Sequence, residues 1–164
     1  MANKTLSYEE TEEEILLRIF IQRNQQNGGN IYQIASCIQV LSSRGKKEYH
    51  LKEYHLTDEE RERLYSAFMK CRQGKNILPE LLEHGYQLAR MFILVRHFFP
   101  ALNQMPSEEE KGEFLKTAKL LAEKGDFFQL ASFLETCASL GVDASVTLTE
   151  EEMEKVANET AVSS

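Results

Sequence analysis

PELLEHGYQLARMFILVRHF, residues 79–98, spreads Leu, Met, Phe, Ile and Val over several sides of one helix. At 3.6 residues per turn, Leu81, Leu82, Leu88, Met91, Phe92, Ile93, Leu94, Val95 and Phe98 cannot share a single stripe. A helix apolar on several sides must be wrapped by others. Pro79 suits a first helical turn and Pro100 follows the last one. The stretch therefore predicts the central helix of an all-α bundle, and the rest of the chain must supply the wrapping.

The wrapping helices are announced by their first turns. Thr11, Thr57, Ser107 and Thr149 are each followed three residues later by Glu: Glu14, Glu60, Glu110 and Glu152. In this pattern the hydroxyl accepts from an orphan amide of the first turn and the carboxylate reaches back to the cap's own N–H. The acidic clusters are thereby read as helix starts rather than catalytic acids or metal ligands. Working outward gives six to seven helices in a single domain: about Tyr8 to Gln26, Ile31 to Ser43, Asp58 to Arg72, Pro79 to Phe98, Glu108 to Lys124, Phe127 to Leu140, and Glu150 to Asn158. In the first, Ile15, Leu16, Ile19 and Phe20 are expected to face inward. Gly125-Asp126 turns the chain tightly between the fifth and sixth, an antiparallel hairpin. No segment alternates at period two for long enough to earn a strand, and VDASVTL, 142–148, is read as loop. Residues 1–141 are expected to form the bundle domain. Residues 142–164 then make a loop, a short helix and a tail that dock on the bundle or on a partner.

At 164 residues, 42% of them apolar and 27% charged, the chain has the balance of a soluble globular protein. The longest uncharged run, about twenty residues from Asn24 to Ser43, is rich in Gln, Asn and Ser, so no segment suits a bilayer. MANKTLSYEETEEE turns acidic where an export signal turns apolar, and a cytoplasmic location is the expectation. Cys37, Cys71 and Cys137 are widely spaced, form no CxxC pair and fall on apolar helical stripes. They are expected to be buried thiols rather than a disulfide framework. The net charge of −7 is segregated: −4 over residues 1–14, +5 over 15–105 and −8 over 106–164.

Two groups of side chains resemble sites. The tandem pentapeptide KEYHLKEYHL, residues 47–56, brings Tyr49, His50, Tyr54 and His55 together in sequence. Five residues carry a helix about 140° past a full turn, so His50 and His55 cannot meet one ion on a helix. An odd separation parts them on a strand as well. The stretch reads as a connector between helices, whose Arg44, Lys46, Lys47 and Lys52 with Tyr49 and Tyr54 could contact a partner. The second group, Glu83, Gln87, Arg90 and His97, lies within about 80° of arc on the central helix. Its Arg90 and His97 are candidate partner-binding residues.

Motifs for phosphate-binding loops, the GxSxG nucleophile elbow, di-iron Glu-x-x-His pairs, zinc HExxH and calcium DxDxDG loops do not occur in the sequence. No cofactor and no metal are expected. These readings predict a non-enzymatic module that binds another protein as an adaptor, inhibitor, chaperone or regulatory subunit. Met153 and Val156 of the last helix join the candidate contacts, and a homodimer is compatible with the pattern. One alternative is a nucleic-acid-associated protein using the basic centre. The other is an enzyme built around Arg90 and His97.

Overall fold

A computed structural model describes residues 11–43, 55–78 and 83–163. Within them the chain forms seven α-helices and no strand: α1 (Glu12–Gln26), α2 (Ile31–Ser43), α3 (Asp58–Arg72), α4 (His84–Phe98), α5 (Glu108–Glu123), α6 (Phe127–Ser139) and α7 (Glu150–Ser163). Two 3-10 helices, Pro100–Leu102 and Ala144–Thr147, lie in the connections that precede α5 and α7. The fold is all-α.

All four Ser/Thr-x-x-Glu signals form reciprocal caps. Glu14 N–H donates to Thr11 Oγ1 at 3.2 Å while Thr11 N–H donates to Glu14 at 2.8 Å. The same exchange joins Thr57 with Glu60, Ser107 with Glu110, and Thr149 with Glu152. Thr11 is extended (φ −73°, ψ 162°), so α1 starts at Glu12 and not near Tyr8. Asn30 and Asp126 cap α2 and α6 by the same physics without the partnering Glu. The tight turn between α5 and α6 hinges on Gly125, whose φ of +75° is strained for any residue with a Cβ. Asp126 N–H reaches back to Leu121 O at 3.0 Å and closes the helix end.

The chain divides into two compact units, 1–64 and 65–164, with the division inside α3. The first unit packs Ile21, Ile31, Ile34, Ala35, Ile38 and Leu64 out of solvent. The Gln25 amide donates to Glu60 at 3.2 Å, and Arg63 Nη2 donates to Gly29 O at 2.7 Å. Here the expectation for α1 is overturned. Ile15, Leu16, Ile19 and Phe20 face outward, 44, 63, 44 and 36% exposed, while Glu14 and Ile21 are buried. ILLRIFI offers two apolar arcs, and the Glu14–Leu17–Ile21–Gln25 arc is the one turned inward.

The second unit is built around α4. Eight of its residues are buried, from Gly85 to Val95. One phenylalanine from each of four helices forms an edge-to-face chain: Phe68–Phe92 at 5.0 Å, Phe92–Phe114 at 6.5 Å and Phe114–Phe133 at 6.2 Å between centroids. Such contacts are favourable beyond the area they bury. Gly85 allows α4 to lie against α5, because a Cβ there would overlap the Thr117 hydroxyl and approach Thr117 Cβ to 2.9 Å. Residues 79–82 lie outside the described residues. Glu83 is extended (φ −62°, ψ 148°), so α4 starts at His84 rather than near Pro79.

Candidate functional site

The exposed face of α1 has an unusual composition for a helix with one face already buried. Ile15, Ile19, Leu16 and Phe20 spread over about 140° of arc. Ile21 and Glu14 lie on the opposite side and carry the packing. Glu12 and Arg23, both exposed, fall within the arc of the outward apolar residues, one beyond each end. The result is a contiguous oily patch with a carboxylate at one pole and a guanidinium at the other. Scattered single apolar residues are ordinary on a surface, whereas these four share one arc of one helix.

Arg44, Lys46, Lys47, Tyr49, Lys52 and Tyr54 lie outside the described residues, as does His50, while His55 is exposed. On α4 the polar stripe does not act as one group. Gln87 is fully buried and clasps the preceding segment: its Oε1 accepts from Ile77 N at 2.6 Å and Leu78 N at 2.8 Å, and its amide donates to Leu78 O at 3.0 Å. Glu83 pairs with Lys124 across to the end of α5. Arg90 is half-buried and His97 exposed. The His97 ring meets Phe98 edge-on at 4.7 Å, and partial desolvation holds its imidazole below the usual value.

Helix α7 packs within the second unit. Val156 is buried, Lys119 Nζ donates to Glu152 Oε1 at 2.9 Å, and Lys155 sits over the Phe127 ring at 5.4 Å. Met153 stays 36% exposed at the edge of a small apolar groove lined by Leu134, Ala138 and Val142.

A polar cleft of about 440 Å³ opens where Arg72, His84, Leu88, Ser107, Glu109 and Glu113 meet. Arg72, the one Arg among the described residues that line it, is already bonded to Glu110 through Nε–Oε2 and Nη2–Oε1, both 2.7 Å. The guanidinium also stacks over Phe68 and Phe92 at 5.5 and 5.1 Å. His84 Nδ1 lies 2.6 Å from Asn76 Oδ1. Among the described residues the cleft thus presents an acidic rim with no uncommitted guanidinium for an anion. Among the described residues no three His, Cys, Asp or Glu side chains converge as metal ligands. Neither this cleft nor the apolar groove is lined by Arg90 or His97.

No family model, curated protein or solved structure matches this chain. Function is therefore argued from its own surfaces.

Burial pushes the Cys71 and Cys137 thiols up to about 12, with the Glu110 carboxylate adding to the effect at Cys71. Cys37 is half-buried rather than buried, and burial raises its thiol too. At neutral pH none is poised as a thiolate nucleophile. Among the described residues no helix is long and apolar enough to cross a membrane. The feature missed from sequence is the outward face of α1. The signal was present as a second apolar arc in ILLRIFI, but periodicity alone does not say which arc is buried.

Proposed function

We propose that this protein is a non-enzymatic interaction module, of the adaptor, inhibitor, chaperone or regulatory-subunit kind, that binds protein through the outward face of α1. The observation carrying this reading is that α1 buries Ile21 on one side and still exposes Ile15, Leu16, Ile19 and Phe20 on the other. Each large apolar side chain taken from water to a buried contact contributes roughly 1.5–3 kcal/mol. Four adjacent ones can form the apolar centre of an interface, with Glu12 and Arg23 at its polar rim. The chemistry suits protein better than the other macromolecules. A phosphate backbone calls for clustered cations, and this face carries one Glu and one Arg. An anionic lipid surface is disfavoured by Glu12 and Glu13 at its leading end.

The test is affinity capture from the native cell with the full chain and with the L16K/I19K variant. Both positions are solvent-facing, so the variant is expected to keep its far-UV circular dichroism. A protein retained by the wild type and lost by the variant is the expected result. Equal retention by both contradicts the reading, and recovery of nucleic acid that falls steeply with salt points to the basic centre instead.

A further inference from the structure

We infer that the outward face of α1 pairs with the same face of a second copy of this chain, antiparallel and related by a two-fold axis. This rests on the reading of that face as a protein-binding surface and names its partner.

The pattern on the helix is self-complementary. Ile15 and Phe20, Leu16 and Ile19, and Glu12 and Arg23 are three pairs that share one midpoint, between Leu17 and Arg18. Turning a second helix end for end about that midpoint sets Leu16 against Ile19 of the other copy and Ile15 against Phe20. The same operation sets Glu12 against Arg23 at both ends. A two-fold contact requires that residue i meet j and j meet i, and this arc satisfies the condition with apolar pairs inside and opposite charges outside.

Glu12, Leu16, Ile19 and Arg23 advance in steps of four, three and four, the spacing of a coiled-coil seam. The antiparallel arrangement also opposes the helix dipoles. The acidic first turn of one copy, Glu12 and Glu13, then faces the carboxy-terminal turn of the other, which carries Arg23. A parallel pair would instead set Glu12 on Glu12 and Arg23 on Arg23. One four-turn helix pair buries less than the roughly 1,200 Å² of a standard stable interface, so the association is weak and depends on concentration.

Sedimentation velocity of the full chain at low ionic strength, from about 10 μM to 1 mM, tests the pairing. The wild type is expected to shift from 18.9 kDa toward twice that mass. Glu12→Lys and Arg23→Glu each place like charges at both ends of the pair and are expected to weaken dimerisation at least tenfold. An equimolar mixture of the two variants restores opposite charges at both ends, so it is expected to dimerise as the wild type does. The E12K/R23E double variant is expected to do the same. Both side chains face solvent, and unchanged circular dichroism verifies that each variant folds.

The proposal is overturned by a wild type that stays monomeric throughout, by single variants that dimerise like the wild type, or by a mixture that stays monomeric. A monomeric wild type that still retains a cellular protein through Leu16 and Ile19 overturns self-pairing alone. It leaves the protein-binding reading standing.

Discussion

Glu110 closes the cap of α5 and holds Arg72 with the same carboxylate: Oε1 accepts from Ser107 N at 2.8 Å and from Arg72 Nη2 at 2.7 Å. Burial by itself would raise its pKa. The hydrogen bonds from Arg72 and Ser107 and the guanidinium charge outweigh that and hold the carboxyl below its usual value. The sign follows. A carboxylate depressed in the folded state adds stability above the unfolded pKa, and that stability is lost as pH falls through the lower folded value. Glu110→Gln is therefore expected to cost about 1–3 kcal/mol at pH 7. The difference from the wild type is expected to close in the acid range below the usual carboxylate value, as measured by urea unfolding at a series of pH values. A difference that stays constant through that range contradicts the assignment. Gly85 makes a second prediction at this scale. Gly85→Ala drives a methyl into Thr117 and is expected to cost about 1–3 kcal/mol, although Ala is the better helix former. Thermal unfolding checks it, with G85A/T117A recovering part of the loss. A stabilised G85A would show that α4 and α5 do not approach there.

At the scale of elements, the sequence was most readable where one residue pattern has one physical solution. Ser107-x-x-Glu110 and its three counterparts are satisfied by a capped helix and by little else, and all four form. The start of α4 was misplaced because it is set from outside the segment. Gln87, four residues into the helix, bonds back to Ile77 and Leu78, and Glu83 is drawn to Lys124. Neither contact has a local signature. The last helix is held by Val156 in a buried position with Lys119–Glu152 and Lys155–Phe127 beside it. Val156→Asp buries an unpaired carboxylate and is expected to destabilise the second unit by about 2–4 kcal/mol. Equilibrium denaturation reads this directly. An unchanged midpoint would mean that α7 does not contribute to that unit's stability.

For the whole molecule, the helical class followed from composition, capping and the apolar run of α4, whereas the outward apolar face of α1 did not. Arg90 and His97 drew notice because polar residues on an apolar helix stand out. Gln87, the one among them that is fully buried, serves the backbone of its own unit. The α1 patch drew none because its residues look like core, and only the burial of Ile21 on the opposite side shows that they are not. Placing a photo-cross-linking residue at position 16, with Glu59 on exposed α3 surface as the control position, measures this directly in the native cell. A covalent protein adduct is expected from position 16, at twice the chain mass if the partner is a second copy, and none from position 59. No adduct at position 16, or equal adducts from both positions, would contradict a contact surface on α1.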